Sequence, residues 1–156
     1  STKTLKEKFL ENFKICDSFN LFYDRSDKLM TEALKKSLKK KALNSLRFHK
    51  FSGDRVIICS ASPRLLLKSI AKYLEVDLVC TELRVSTDGF WQPIISGLNC
   101  KREEKLHRIS NYLGSLENYF VEVYGDSKGD KELLEIADIP HYKDFSRKER
   151  PYGFFK

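Results

Sequence analysis

The sequence predicts an α/β protein: a parallel sheet covered on both faces by helices, with a helical portion at its N-terminus. Three observations predict it. Short β-branched apolar runs alternate with segments of helical periodicity through the last two thirds of the chain. The first third carries helical stripes and no comparable apolar run. The chain has 156 residues, with no repeat, low-complexity stretch or linker, which favours one domain.

The elements follow in order. Leu5, Phe9, Leu10 and Phe13 form a helical stripe over Thr4 to Phe13, and ICDSFNLFYDRSD reads as a turn region. Asp27 to Phe51 reads as one long helix or two shorter ones, and SGDR, Ser52 to Arg55, breaks it. VIICSA is a buried strand, rich in β-branched residues. SPRLLLKSIAKYL follows as a helix, with Ser62 as N-cap and Pro63 at the first helical position. VDLVCTELRV is a second strand, and STDGFWQP holds an Asp88-Gly89 turn like a hairpin tip. CKREEKLHRISNYLGSL is a helix striped by Leu106, Ile109, Tyr112 and Leu113. YFVEVYGD is the third strand, DKELLEIAD a further helix, PHYKDF a last short strand and SRKERPYGFFK an irregular tail.

Composition narrows the function classes. A 41% hydrophobic content allows a sizeable core, and no apolar run approaches the roughly 20 residues that span a bilayer. The opening residues lack the apolar region of a signal peptide. Net charge is +7, which fits nucleic acid, an acidic surface, an anionic small substrate or simply a solvated lysine-rich face. The densest cluster, KKSLKKK, reads as the exposed face of a helix, with Leu34 and Leu38 on the other side. It lacks interleaved aromatics for base stacking, so neither nucleic acid nor membrane is expected as a partner. Cys16, Cys59, Cys80 and Cys100 form no CxxC pair; a zinc site is not expected, Cys59 and Cys80 read as small core residues, and a reducing cytoplasmic location fits.

Chemistry-bearing residues fall at the carboxyl ends of the strands, where open α/β sheets bind ligands. Ser60 ends the first strand, and its hydroxyl would face an anion together with the free N–H groups of the following helix. Asp126 ends the third strand and Asp130 opens the next helix, with Gly125 and Gly129 allowing a tight turn and close approach of a ligand. Two carboxylates so placed call for a hard cation such as Mg²⁺. Lys105 lies between these motifs and could neutralise a phosphate. Each residue alone has a plainer role as a cap, a solvated cation or a helix N-terminal charge; their order carries the inference.

That order, a strand ending in serine, then a lysine, then GDxxxD after a strand, resembles motifs two to four of the haloacid dehalogenase (HAD) superfamily. VIICSASP, the Asp88-Gly89 flap, Asn99-Cys100 and Glu103 to Lys105 resemble its phosphoserine-phosphatase-like branch, and the likeness covers roughly Leu5 to Asp138. The resemblance implies a HAD-like Rossmannoid core of three layers over residues 51–156 and a helical cap portion over residues 1–50. It implies that Ser60, with Ala61 and Ser62, binds the phosphoryl group. Lys105 then balances charge, Asp126 holds Mg²⁺, and Asp130 supports the metal shell or Lys105. Phe90 and Trp91, beside the flap turn, either contact substrate or pack as a hairpin tip.

The pattern departs from the family in one respect. Family members open with a strand ending in DxDxT, whose first aspartate is the nucleophile; Asp17, Asp24 and Asp27 do not fit that spacing. The sequence is expected to be a fragment that begins inside the cap. Its expected function is Mg²⁺-dependent hydrolysis of a small phosphomonoester, phosphoserine-like, through an aspartyl-phosphate. Its rivals are a catalytically inactive phosphate-binding or regulatory module and, more remotely, a basic nucleic-acid-binding protein. Oligomeric state is open, although a missing central strand would favour pairing with another chain or segment.

Overall fold

The structure is a computed structural model that describes Glu7 and residues 31–33, 35–89 and 91–145. The expected helix at Thr4 to Phe13, the ICDSFN turn region, Cys16, Leu34, Phe90 and the tail beyond residue 145 lie outside these residues, Glu7 apart, which is helical. The helical region before SGDR is two segments rather than one: residues 35–37 are helical, Leu38 breaks the helix, and α1 runs Lys40–Phe51. KKSLKKK is therefore not a single helix face. Strand β1 follows at Ile57–Pro63, α2 at Arg64–Leu74, β2 at Asp77–Thr81, β3 at Leu83–Val85 and β4 at Trp91–Ile95. Helix α3 spans Glu103–Leu113, β5 Glu122–Gly125, α4 Lys131–Glu135 and β6 Ile139–Tyr142.

Among the described residues the strands form three two-stranded ladders. β1 pairs with β2 in parallel, β5 pairs with β6 in parallel, and β3 pairs with β4 antiparallel. The parallel pairs with intervening helices are the predicted α/β class. VDLVCTELRV is not one strand, however. It divides after Thr81, because Thr81 belongs to β2 beside Pro63 while Leu83 pairs across the hairpin with Ile95. The Asp88-Gly89 turn joins β3 to β4 as expected, and Gly89 takes φ +82°, a conformation that suits glycine.

Two smaller expectations change at helix ends. Strand β1 continues through Ser62, so Pro63 and not Ser62 is the N-cap of α2, and no side chain caps that end. Proline suits the place because it has no N–H to satisfy and its own backbone is extended. The DKELLEIAD helix is only α4, preceded by a 3₁₀ turn at Lys128–Asp130.

The core lies where α3 and α4 cover β1, β2 and β5: Val79, Cys100, Ile109 and Leu133 are buried together, with Leu106, Leu113 and Val123 packed around them. Tyr112, expected on the apolar stripe, is exposed and receives the Arg55 guanidinium over its ring. Strand β1, expected to be buried, is only half-buried from Ile57 to Ser62, and Tyr124, Ile139 and Tyr142 of β5 and β6 are exposed. No described backbone ladder joins β1 to β5.

Fully buried Thr81 locks the carboxyl end of the β1–β2 pair. Its hydroxyl accepts from the Cys100 N–H (3.0 Å) and lies 2.9 Å from the Ala61 carbonyl and 3.0 Å from Asn99 Oδ1. Thr81→Val keeps the shape but strands the buried Cys100 N–H. It should cost about 1–3 kcal/mol of stability, read as a lower denaturant midpoint with an unchanged slope.

Candidate active site

A cavity of about 420 Å³ opens between the carboxyl end of β1 and the loop after β5. Cys59, Ser60, Ala61 and Ser62 line one side; Gly125, Asp126, Ser127, Gly129 and Asp130 line the other, and Lys105 reaches it from α3. All six sequence-predicted site residues, Ser60, Ala61, Ser62, Lys105, Asp126 and Asp130, therefore meet at one cavity.

Helix α3 delivers Lys105. It starts abruptly: Arg102 takes φ +56°, and its N–H donates to the Gly129 carbonyl at 2.8 Å. That bond sets the first turn of α3 against the loop carrying Asp130. Lys105 is 7% exposed, unlike an ordinary surface lysine. Its ammonium donates to Asp130 Oδ1 at 2.5 Å and to the Cys59 carbonyl of β1 at 2.9 Å. An ammonium has three N–H bonds, so these two leave one for a ligand in the cavity.

The Asp130 carboxylate is committed on both oxygens. Oδ2 accepts from the Ser127 hydroxyl (2.6 Å) and the Ser127 N–H (3.1 Å), and the Ser127 hydroxyl in turn accepts from the Gly129 N–H. This is a capping box at the 3₁₀ turn. Burial works against ionisation of Asp130, but the hydrogen bonds from Lys105 and Ser127 outweigh it and hold the carboxyl below its usual range. Gly125 permits the arrangement: a Cβ there would fall 2.7 Å from the Asp130 Cβ. The glycine thus makes room for Asp130 itself, where the sequence pointed to a ligand.

Asp126 is exposed on the cavity wall. Among the described residues no three carboxylate, histidine or thiol groups gather as a metal shell. On the wall formed by the loop after β5 the side-chain donors, Asp126, Ser127 and Asp130, are all oxygen, which suits a hard cation such as Mg²⁺. With Asp130 already engaged, Asp126 is the carboxylate a cation would meet first. Ser60 Oγ accepts the Ser62 N–H at 3.1 Å, which fixes the hydroxyl oxygen and leaves its proton to donate. No base stands beside Ser60 in these contacts.

Sequence reasoning missed the opposite rim. Tyr124 and His141 are register partners in the β5–β6 pair, so their rings stack at 4.2 Å, and Phe145 also stacks on Tyr124, at 5.1 Å. His141 lies between two carboxylates, Nε2 at 2.7 Å from Glu122 and Nδ1 at 2.6 Å from Asp144. Burial lowers its pKa, yet the hydrogen bonds to Asp144 and Glu122 dominate and raise it overall. The Tyr124 hydroxyl lies 3.2 Å from His49 of α1, tying that helix to β5. Only register and tertiary contact bring these groups together. Ser127 was findable, because serine three residues before an acidic residue at a helix start is a capping-box pattern. Phe90 and the Trp91 side chain are not described, and no described residue of the β3–β4 hairpin lines the cavity.

The profile of the haloacid dehalogenase-like hydrolase family matches residues 4–135. This chain belongs to that family. It is 37% identical over 97 residues to protein CicA of Caulobacter vibrioides, a match covering 62% of this chain and 43% of CicA. The matched stretch is less than half the length of that relative. A crystal structure of a protein of unknown function from Bordetella pertussis superposes with TM-score 0.76 at 24% identity, covering 86% of this chain and 62% of that one; this likeness bears on the fold alone. A substrate-bound phosphoserine phosphatase matches at TM-score 0.49 and 21% identity, over 78% of this chain and 64% of that one, too distant to carry an argument. No helix among the described residues is long and apolar enough to cross a membrane.

The Lys105–Asp130 pair predicts two outcomes. Lys105→Met leaves the half-buried Asp130 carboxylate with its Ser127 hydrogen bonds but no cation, and should destabilise the fold by about 1–3 kcal/mol, measured by denaturant unfolding. Because Asp130 has a lowered folded-state pKa, its contribution is fully present above the unfolded carboxyl pKa of about 4 and is lost as pH falls through the folded value. The melting temperature of Asp130→Asn should therefore lie below wild type at neutral pH, with the difference closing as the solution is acidified below about pH 4.

Proposed function

We propose that this chain is the motif-two-to-four part of a Mg²⁺-dependent phosphomonoester hydrolase of the phosphoserine-phosphatase-like branch. The observation that carries the proposal is the buried Lys105, aimed into a cavity between the carboxyl end of β1 and the acidic loop after β5. A buried cation with a spare N–H, next to a serine hydroxyl that can donate, is built to receive an oxyanion.

In this reading Ser60 and the backbone around Ala61 and Ser62 orient the phosphoryl oxygens. Lys105 donates to the transferring group, and Asp130 holds Lys105 in place through Oδ1 while Ser127 fixes Oδ2. Asp126, with Asp130 behind it, would hold Mg²⁺, which would neutralise phosphoryl charge when bound. The nucleophile is an aspartate on a further strand seated between β1 and β5; it attacks phosphorus, the ester P–O bond breaks and the alcohol leaves with a proton, and water then hydrolyses the aspartyl-phosphate to inorganic phosphate. The half-buried β1, the exposed residues of β5 and β6, and the absence of a described ladder between β1 and β5 support a place for that strand. Residues 1–50 serve as the cap portion that selects substrate, and the substrate is a small phosphorylated metabolite in the cytoplasm.

The test is a screen of small phosphomonoesters, phosphoserine included, with the full-length protein, with and without Mg²⁺. Magnesium-dependent release of phosphate is expected, and Lys105→Arg, which keeps the charge but not the fit, should lower kcat/KM by about 10²-fold or more. Magnesium-dependent binding of inorganic phosphate with no turnover of any ester would instead identify an inactive phosphate-binding module.

A further inference from the structure

One nucleophilic side chain on the cavity wall has no part in phosphoryl binding. Cys59 of β1 lines the cavity and is half-buried. Its sulfur lies 4.0 Å from that of Cys100, which is fully buried just ahead of α3. The two are 41 residues apart in sequence, and the fold sets them sulfur to sulfur. Both are held by their backbones. The Cys100 N–H donates to the Thr81 hydroxyl oxygen at 3.0 Å, and the Cys59 carbonyl accepts from Lys105 at 2.9 Å. Cys80 is also buried but lies off the cavity.

Both cysteines are free thiols. The hydrogen bond between the sulfurs holds the Cys100 thiol below its ordinary value and, together with burial, pushes Cys59 above it. The pair therefore gives up one proton readily and keeps the other between the two sulfurs, where either can be its donor. With that proton on Cys100, the thiolate is the sulfur that lines the cavity.

We propose that Cys59 and Cys100 form a hydroperoxide-sensitive thiol pair that closes reversibly to a disulfide. The Cys59 thiolate attacks one oxygen of hydrogen peroxide, the O–O bond breaks, and hydroxide leaves and takes a proton to become water. The sulfur is oxidised to a sulfenic acid and the peroxide is reduced. Cys100 then gives up its proton and attacks the Cys59 sulfur. The S–O bond breaks, and the departing hydroxide takes that proton as a second water. Thiol–disulfide exchange with a small thiol reductant reverses the bond, as a transient disulfide in a reducing compartment requires.

The disulfide acts on the site through β1. A bonded pair of sulfurs stands about 2 Å apart, so Cys59 and the lead-in to α3 must draw together. The Cys59 carbonyl holds Lys105, and Ser60 is the next residue. On the phosphatase reading, on which this effect rests, oxidation displaces both phosphate donors and weakens phosphate binding.

The test treats the full-length protein with hydrogen peroxide, alkylates the remaining thiols and digests it with trypsin. Cleavage after Arg55, Arg64, Lys72, Arg84 and Lys101 puts Cys59, Cys80 and Cys100 on separate peptides. A peptide joining Cys59 to Cys100 is expected, about 2 Da lighter than its two halves together, and absent after dithiothreitol. Cys100→Ala should instead leave a Cys59 sulfenic acid that dimedone traps. Calorimetry with inorganic phosphate and Mg²⁺ should show about tenfold weaker binding to the oxidised protein, recovered by dithiothreitol. No reaction at Cys59, or its oxidation to sulfinic acid without a cross-link, overturns the thiol pair. A cross-link that leaves phosphate affinity unchanged overturns its action on the site. Should the reduced protein bind no phosphate, the phosphatase reading falls, and the cross-link alone decides the thiol pair.

Discussion

A buried ammonium group has to be paired, and in this protein that requirement organises the site. Lys105 is almost fully enclosed, so its charge must be met by acceptors at fixed positions. It finds them on opposite sides of the cavity: the Cys59 carbonyl belongs to β1, and Asp130 follows β5. These two strands share no described ladder, so a side chain from α3 does what backbone hydrogen bonding does elsewhere in a sheet. The capping box at Ser127, the glycine at position 125 and the left-handed Arg102 each fit this one ion pair.

The same pair explains why the two aspartates of the GDxxxD sequence differ in character. Asp130 has both oxygens occupied and a lowered pKa, so it is a fixed negative charge that positions a cation of the protein itself. Asp126 stands exposed on the wall. Identical side chains four residues apart thus take a structural and an exposed, cavity-facing place, according to whether a buried lysine lies within reach.

The far rim follows a different logic. Parallel pairing sets Tyr124 opposite His141, and the stacked rings bring His141 between Glu122 and Asp144. Through His49 the stack also holds α1 against β5, and Lys39 reaches the Phe145 carbonyl from the start of that helix. Helix α1 is thereby tied to the cavity by polar contacts more than by a buried apolar face, for it has no fully buried residue.

Much of this protein was legible in its residues. Alternating apolar and helical runs determined the α/β class, because strand and helix periods differ and the runs are strong. VIICSASP, KREEK and GDSKGD determined which residues would gather at the cavity, because residues at the carboxyl ends of strands meet there. Tertiary structure decided the rest. VDLVCTELRV divided because Thr81 and Leu83 pair with different partners, which no local pattern encodes. Lys105 looks like any surface lysine until α3 turns it beneath the cavity. The Tyr124–His141 stack joins residues from separate strands, and only register and packing bring such residues within contact distance.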